Sequence, residues 1–369
     1  MVSRTFFFAG GGTGGHLYPA LAVAEQLTTL APRCEISFLC SSRSIDETIL
    51  SKTSYGYTAL SAQGLGLKPA QLIRFARTFW DSAKVARMHL EKSENPVVVG
   101  VGGFASSPVC WAAHRMGLPI ALINVDSVPG KANKLNARWA QSVFVHFEDT
   151  MQAFTGFKKA NLLAYGCPLR QAFSDPKPAR ALAELGLAPH KKMLLITGAS
   201  TGCQSINETM ARILPDLEAY ADAWQVVHLT GHHNYENVSG RLPKSRLSYH
   251  VLPYYDQMPD LMAAAHVIIG RSGAVSVAEY AASRVPSICI PYPYHKDKHQ
   301  YINAGKLVEV GAAIMVDDLP DLQDRSEWLW EELEPLLKNE DTRLAMAKAC
   351  EQVATPDAAK KIAEHLLTM

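Results

Sequence analysis

The feature that most constrains the fold is an apolar run that leads directly into a glycine-rich turn and a helical pattern. The run Thr5–Ala9 is followed by Gly10–His16, which reads Gly-Gly-Gly-Thr-Gly-Gly-His, and then by a helix-like segment at 19–25. A strand, a tight turn and a helix N-terminus together leave backbone amides that can hold an anion. The sequence therefore predicts a βα unit that handles phosphate or an equally negative group.

The same turn also fits the dinucleotide fingerprint G-x-G-x-x-G, through Gly10, Gly12 and Gly15. A NAD enzyme needs an acidic residue at the end of the second strand, near Cys40, to hold ribose hydroxyls. Here the chain reads Ser-Ser-Arg at 41–43, which argues against NAD and suits the 2′-phosphate of NADP. An NADP oxidoreductase is therefore one alternative that this motif leaves open.

A second copy of the unit follows later in the chain, where Met193–Thr197 leads into a small-residue turn at 198–202. Apolar strand candidates alternate with helical patterns, which is typical of parallel sheets. These candidates are 36–40, 96–101, 120–125, 143–145, 226–230, 247–252, 267–269, 288–290 and 312–316. The pattern predicts an α/β protein with two doubly wound, Rossmann-like domains facing a central cleft. We expect them at 1–166 and 167–349, with a C-terminal helix at about 350–369 that packs on either domain.

Length and composition limit the class of protein. The 369 residues are 48% hydrophobic, which is enough for two domain cores. A net charge of +1 excludes the large basic field expected of a nucleic-acid binder. The dispersed cysteines are typical of reduced core residues, and we find neither a secretory signal nor an apolar run that could span a membrane. We therefore expect a soluble, cytoplasmic protein.

A further turn and helix start are predicted at Arg271–Glu279, after the strand candidate 267–269. The simplest interpretation is a capping box, with Ser276 as the cap and Glu279 as its partner. The functional alternative places a diphosphate on the amides around Ala274–Ser276, with Glu279 on ribose hydroxyls. The two interpretations are compatible, and both stay open.

The loop Pro291–Gln300 carries His295, Asp297 and His299 at alternate positions. These residue types can bind a metal, but a lysine-bearing loop without a second ligand cluster favours hydrogen bonding to a polar ligand such as a sugar. The chain also lacks the Asp-x-Asp motif of metal-dependent sugar-nucleotide enzymes. We therefore expect no metal and no cofactor, with helix dipoles and Arg170 stabilising a leaving diphosphate.

The segment Lys68–Lys92 combines bulky apolar residues at helical spacing with an excess of basic residues. The apolar stripe contains Leu72, Phe75, Phe79 and Trp80. This combination is typical of a helix that lies in the interface of an anionic membrane. The alternative is an ordinary core-facing stripe with a solvated basic face.

Several short motifs are spread along both halves of the chain. They are Gly11–His16, Gly102–Pro108, Val128–Gly130 with Asn133, Gly166–Arg170, Arg271–Glu279 and His295–Gln300. On these motifs the chain resembles the MurG family of peptidoglycan glycosyltransferases. The resemblance implies a GT-B fold and a metal-free, inverting hexosyltransferase on the cytoplasmic face of the plasma membrane. It would move N-acetylglucosamine (GlcNAc) from UDP-GlcNAc to undecaprenyl-diphospho-N-acetylmuramoyl-pentapeptide.

The resemblance also implies site residues by matching position. His16 would be the catalytic base or, alternatively, a ligand of acceptor phosphate. Substrate-binding positions in the first half would be Thr13, Gly14, Gly15, Asp126 and Asn133. Those for the donor would be Ser200, Ala274, Val275 and Ser276 at the diphosphate, Glu279 at ribose, the Tyr255 main chain at uracil, and Arg170, His299 and Gln300 near phosphate or sugar.

The chain departs from the family pattern mainly in the first half. Where the family usually has His-Glu-Gln-Asn, this chain has Ile123, Asn124, Val125 and Asp126, and Phe104 replaces the usual Tyr. In the second half, the substitutions at 199 and 203 alter the third glycine turn. Because the acceptor is expected in the first half, two alternatives stay open: a transferase for another lipid acceptor, and a catalytically silent nucleotide-sugar-binding relative.

Overall fold

The computed structural model describes residues 4–66, 68–157, 159–199, 202–240 and 245–369, and the chain divides into two compact units. The first unit extends to Gln171 and also contains the C-terminal segment Thr355–Met369. The second unit is Ala172–Ala354. The boundary therefore follows Gln171 rather than Gly166, and the returning segment begins at Thr355 rather than at about residue 350.

Within the described residues, seven parallel strands form the sheet of the first unit. They are β1 (Thr5–Gly10), β2 (Glu35–Ser41), β3 (Gly56–Leu60), β4 (Val97–Gly102), β5 (Ile120–Asn124), β6 (Ser142–Val145) and β7 (Asn161–Ala164). Their spatial order, β3-β2-β1-β4-β5-β6-β7, is that of a doubly wound sheet. In register, Phe8 pairs with Phe38 on one side and with Val99 on the other.

Helices cover this sheet: α1 (Gly14–Leu30), α2 (Ser44–Leu50), α3 (Pro69–Glu91), α4 (Ser106–Arg115) and α5 (Lys131–Asn136). Helix α3 buries only small and apolar residues of its C-terminal half, namely Ser82, Ala83, Ala86 and Leu90. The predicted alternative of a core-facing stripe is therefore wrong at Leu72 and Trp80, which are exposed, whereas Phe75 and Phe79 are half-buried.

The second unit contains six parallel strands among its described residues. They are β8 (Lys192–Thr197), β9 (Trp224–Leu229), β10 (Ser248–Leu252), β11 (Val267–Gly270), β12 (Ser287–Cys289) and β13 (Ala313–Met315), in the order β10-β9-β8-β11-β12-β13. Its helices are α6 (Pro178–Glu184), α7 (Gln204–Leu217), α8 (Tyr235–Ser239), α9 (Met258–Ala264), α10 (Ala274–Ser283), α11 (His299–Glu309), α12 (Leu322–Lys338) and α13 (Glu340–Ala349). The prediction of two doubly wound, Rossmann-like sheets is confirmed.

The C-terminal region is shared between the two units. Helix α12 packs against α7 in the second unit, whereas the last helix, α14 (Ala358–Thr368), packs against α1 in the first. The Arg4 side chain donates to the carbonyl oxygens of Leu366 and Leu367 at 3.3 and 3.0 Å, which fixes the end of α14. None of the described helices combines the length and the apolar composition that crossing a membrane requires.

Candidate active site

A cavity of about 780 Å³ lies in the first unit, beyond the carboxyl ends of β1, β4 and β5. Doubly wound sheets bind their ligands at this edge. Polar lining residues include Thr13, His16, Asn124, Asp126, Lys131 and Asn133, and apolar ones include Leu65, Phe75, Phe79, Phe104 and Leu135. The cavity therefore offers hydrogen-bonding groups together with a substantial apolar wall, as an amphiphilic ligand requires.

The glycine turn beside this cavity is built around the carboxylate of Asp46, which is fully buried. The Gly12 amide donates to both carboxylate oxygens, at 2.7 and 2.9 Å. Ser41 donates to Oδ2 through its amide at 2.9 Å and its hydroxyl at 2.7 Å. Gly11 has a φ of +138°, and a Cβ there would overlap the same carboxylate. The prediction that this turn points its amides at a ligand is therefore wrong at Gly12, because an internal anion occupies that amide.

His16 lies in the first turn of α1 and lines the cavity. Its Nδ1 is 3.0 Å from the carbonyl oxygen of Gly11 and 3.2 Å from the hydroxyl of Thr13. Because a carbonyl oxygen only accepts, Nδ1 carries the proton and Nε2 presents a lone pair. Nε2 lies against Gly102, where a Cβ would come within 2.9 Å of it. Only a glycine at position 102 leaves this edge of the ring accessible.

The other first-half positions implied by the resemblance lie at or near the cavity. Asn133 is buried and donates to the carbonyl oxygen of Ile123 at 3.2 Å and to Asn124 Oδ1 at 3.1 Å. Asn124 in turn donates to the carbonyl oxygen of Asp126 at 2.8 Å, so the divergent segment 123–126 is held by its own hydrogen bonds. Gly14 and Gly15 are not among the described lining residues, but they begin α1, where helix geometry leaves amides without intrahelical acceptors.

A second cavity, of about 700 Å³, lies in the second unit beyond the carboxyl ends of β8, β11 and β12. Its described lining residues are Gly198, Ala199, Gly202, Cys203, Gln204, Ser205, Arg271, Gly273, Ser276, Tyr292, Tyr294, His295, Gln300, Asp318, Leu319, Pro320 and Arg325. The turn after β8 contains a non-glycine residue in the left-handed region, since Ala199 has a φ of +61°. This cavity is more polar than the first, with two arginines and one aspartate in its wall.

Helix α10 begins beside this cavity. Its N-cap residue is Gly273, with an extended backbone and no side-chain cap, so Ser276 lies inside the first turn. The predicted capping box of Ser276 with Glu279 is therefore wrong. The amides of Ala274, Val275 and Ser276 are the first three of the helix and have no intrahelical acceptors. Ser276 lines the cavity, and Glu279 is half-buried one turn further along.

Sequence reasoning missed the buried charges of this cavity. Arg271 Nη2 lies 2.6 Å from Asp318 Oδ2, and Arg325 approaches the same carboxylate at 3.7 Å. Arg271 also donates to the carbonyl oxygen of Ile290 at 2.9 Å and contacts Cys203 Sγ at 2.9 Å. Arg325 also lies 3.6 Å from Glu208 Oε2, so each of the two guanidinium groups is paired with a carboxylate.

The loop before α11 and the first residue of that helix bring together His295, Asp297 and His299. Asp297 Oδ1 accepts from His299 Nδ1 at 2.7 Å, and His299 Nε2 lies 3.1 Å from His295 Nδ1. Partial burial alone would raise the pKa of Asp297, but the hydrogen bonds from His299 lower it below its usual value. Gln300 lines the cavity with His295, and its side chain accepts from the Tyr292 amide at 2.9 Å.

Several of the predicted donor positions are not among the described residues that line the second cavity, namely Ala274, Val275, Glu279, His299, Tyr255 and Arg170. The Tyr255 hydroxyl donates to Glu184 at 2.6 Å, and burial together with that carboxylate raises the pKa of Tyr255 well above its usual value. Arg170 belongs to the first unit, with its guanidinium 4.7 Å from the ring centre of Tyr18. Ser200, which the resemblance places at the diphosphate, lies outside the described residues.

Comparison with known proteins gives a consistent assignment over both units. Residues 6–145 match the glycosyltransferase family 28 N-terminal domain, and residues 193–362 match the family 28 C-terminal domain. A Leuconostoc citreum protein is 33% identical over 364 residues, covering 97% of this chain and 96% of the relative. A Bacillus subtilis protein is 30% identical over 357 residues, covering 96% of each. Both are named UDP-N-acetylglucosamine--N-acetylmuramyl-(pentapeptide) pyrophosphoryl-undecaprenol N-acetylglucosamine transferase.

The crystal structure of Acinetobacter baumannii MurG superposes with a TM-score of 0.73, at 24% identity and with complete coverage of both chains. The fold and the two family models thus define a glycosyltransferase of GT-B type. The chain belongs to the MurG family, whose members carry the transferase name given above. The NADP oxidoreductase alternative is therefore wrong, which agrees with the occupation of the Gly12 amide by Asp46.

Proposed function

We propose that this chain transfers GlcNAc from UDP-GlcNAc to undecaprenyl-diphospho-N-acetylmuramoyl-pentapeptide, the reaction that the names of its relatives describe. The observation that carries the proposal is the second cavity, where the start of α10 and the Arg271–Asp318–Arg325 group surround a space of about 700 Å³. A helix N-terminus and guanidinium groups are features that recognise a diphosphate.

The donor's leaving group is bound, in this proposal, by α10. As the bond from the anomeric carbon to UDP breaks, negative charge develops on the diphosphate. The amides of Ala274, Val275 and Ser276 stabilise this charge without any rearrangement, so the reaction needs no metal. Glu279 contacts the ribose hydroxyls and the Tyr255 main chain contacts uracil. Gln300 and His299 hold the sugar or phosphate from the first turn of α11.

His16 is the proposed general base. The Gly11 carbonyl keeps the proton on Nδ1, so Nε2 accepts the proton of the acceptor hydroxyl as its oxygen bonds to the anomeric carbon. The carbon–oxygen bond to UDP breaks on the opposite face, which inverts the configuration. Thr13 and the first amides of α1 lie beside the ring and hold the acceptor.

The first cavity supports a lipid-linked acceptor. Phe75, Phe79 and Leu135 give it an apolar wall, and His16 and Lys131 give it groups for a polar head. The divergent residues Asn124, Asp126 and Phe104 also line it. A different lipid-linked sugar is therefore the second candidate acceptor, because the substitutions fall on the wall that contacts it.

We further propose that α3 binds the anionic inner face of the plasma membrane. Its N-terminal half presents Leu72, Ile73 and Trp80 with 45%, 71% and 50% of their surface exposed. Arg74 and Arg77 are exposed on the same segment. Apolar side chains that insert among lipids and basic side chains that attract anionic head groups act together in peripheral binding.

Calorimetry tests the donor assignment directly. We expect UDP-GlcNAc to bind the purified protein in the presence of EDTA, and NADPH not to bind. Arg271→Met should lower the affinity for UDP-GlcNAc by at least tenfold, because it removes a guanidinium group from the cavity wall. Arg212→Met, on the exposed surface of α7, should leave this affinity unchanged. Equal affinity of the Arg271→Met variant and the unaltered protein would contradict the assignment.

Membrane extract labelled with radioactive UDP-GlcNAc identifies the acceptor. Label in a polyprenyl-diphospho-disaccharide-pentapeptide supports the proposed reaction, and label in another lipid supports the second candidate. UDP-GlcNAc binding without label in any lipid would show a catalytically silent relative.

A further inference from the structure

The loop before α11 and the first residue of the helix present two imidazole nitrogens to each other, and we propose that they bind a late first-row divalent cation such as Zn²⁺. The ligands are His295 Nδ1 and His299 Nε2, and Asp297 holds His299 in place. Alternate spacing in the sequence does not predict this arrangement, because it depends on the turn at Lys298. That residue has a φ of +52°, in the left-handed region, and the chain there reverses so that the two rings stack 4.3 Å apart.

The distance between the two nitrogens fits one shared metal ion. They lie 3.1 Å apart, and the three candidate side chains keep their ligand atoms within 4.8 Å of one another. Zinc–imidazole bonds of about 2.0–2.1 Å then enclose an angle of about 100° at the metal, between the octahedral and tetrahedral values. A metal can therefore bind both rings with little movement of either.

When both imidazoles of this pair are neutral, metal binding requires no net loss of a proton. Asp297 accepts from His299 Nδ1, so the Nε2 of a neutral His299 carries a lone pair. His295 then donates its Nδ1 proton to that lone pair in the metal-free protein. When that proton moves to Nε2 of His295, both facing nitrogens become ligands. The cation takes the place of the shared proton.

Asp297 supplies the outer contact that zinc-binding histidines usually have. Its Oδ1 lies 2.7 Å from His299 Nδ1, and a carboxylate in this position orients the ring and increases the basicity of the other nitrogen. Because imidazole provides both direct ligands, the site selects Zn²⁺, Co²⁺ or Ni²⁺ over Mg²⁺, which prefers oxygen ligands.

The surroundings of the site couple the cation to an anionic ligand. Lys296, Lys298 and the start of α11 add positive charge, which weakens binding of the cation alone. His295 lines the cavity of about 700 Å³, so open coordination positions are available to phosphate oxygens there. This step rests on the proposed donor site. It implies that the cation and UDP strengthen each other's binding by the same factor, at least about fivefold.

Cobalt titration of the full-length, metal-free protein tests the site. We expect visible absorption bands that saturate at one equivalent of Co²⁺ and disappear when Zn²⁺ is added. His299→Gln should abolish them, and Asp297→Asn should weaken Co²⁺ binding by about 10- to 100-fold. His190→Gln, at an exposed histidine of the same unit, is the matched control and should change nothing. Absence of the bands, or the same bands in His299→Gln, would overturn the proposal.

UDP calorimetry separates this proposal from the proposed function. UDP binding in EDTA, with no cobalt bands, overturns the metal site and leaves the donor site standing. Cobalt bands lost in His299→Gln, with no UDP binding under any condition, support the metal site and contradict the donor site. If both ligands bind but UDP has the same affinity with and without Zn²⁺, the coupling step is wrong.

Discussion

The carboxylate of Asp46 lies 2.7 Å from the amide nitrogen of Gly12, in the turn that most resembles a phosphate-binding loop. This amide is therefore satisfied inside the protein. The same turn supplies the Gly11 carbonyl, which sets the tautomer of His16. The first glycine turn thus positions the His16 side chain, and its Gly12 amide is not available to a ligand phosphate.

Asp46→Asn tests this relationship. The substitution places an NH2 group opposite either the Gly12 amide or the two Ser41 donors. Because an NH2 group donates and does not accept, the hydrogen bonds on that side are lost. We expect the first unit to lose about 1–3 kcal/mol of stability, and kcat to fall while the KM for UDP-GlcNAc stays constant. Urea denaturation and steady-state kinetics measure these effects. Ser41→Ala is the control, since it removes only one hydrogen-bond donor and should lower the stability by less than Asp46→Asn does. An Asp46→Asn enzyme with unaltered stability and kcat would contradict the account.

His16→Ala should lower kcat by about 100- to 10,000-fold, because a general base typically contributes this much. Thr13→Ala, which removes only a hydroxyl near Nδ1, should have a much smaller effect. Steady-state kinetics with saturating donor make the comparison. A loss below about tenfold, with a raised KM for the acceptor, would instead assign His16 to acceptor phosphate.

Reversing two charges on α3, with Arg74→Glu and Arg77→Glu, should release the protein from anionic vesicles. Each basic residue near such a surface contributes about 1 kcal/mol, so the pair should cost at least about 30-fold in partitioning. Sedimentation with vesicles of anionic and of neutral lipid measures this. Lys360→Glu with Lys361→Glu, on α14, is the charge-matched control. Equal partitioning of the two variants would contradict a role for α3.

Acid should lower the folding stability of the second unit because of the buried side chain of His228. This fully buried imidazole contacts the Tyr249 hydroxyl and Asn207 Oδ1, each at 2.9 Å, and burial lowers its pKa to about 3. Because the unfolded chain protonates near pH 6.5 and the native state does not, stability is full above that pH and falls as the pH drops toward 3. From pH 7 to pH 5 this residue should cost about 2 kcal/mol.

Urea denaturation at pH 7, 6 and 5 measures this dependence. His228→Gln should flatten it, whereas His190→Gln should not, because His190 is exposed. An identical slope in the His228→Gln variant and the unaltered protein would show that acid acts elsewhere.

The sequence predicted those parts of the fold that leave a local pattern. Central strands such as β1 and β4 are buried on both faces and therefore appear as continuous apolar runs. The strands β3 and β7 lie at the sheet edges, carry exposed and polar residues, and were not predicted. The glycine turns were recognisable because a turn and a helix start are adjacent in the chain.

Sequence patterns did not reveal site residues that come together only when the chain is folded. Asp46, Asp318 and Arg325 come from segments distant in sequence from Gly12 and Arg271, and no local pattern connects them. The capping box failed for a related reason. The sequence pattern shows which residues are able to cap a helix, but it does not show where the helix starts. The N-cap of α10 is Gly273, three positions before Ser276.

The most direct test of the central claim is a transfer reaction with the purified protein in EDTA. Radioactive UDP-GlcNAc and undecaprenyl-diphospho-N-acetylmuramoyl-pentapeptide are the only substrates, and both lipid-bound label and released UDP are counted. The account predicts equal amounts of labelled lipid disaccharide and UDP from the unaltered protein, and at least about 100-fold less from His16→Ala. UDP-GlcNAc binding without labelled lipid, or equal rates for both proteins, would contradict it.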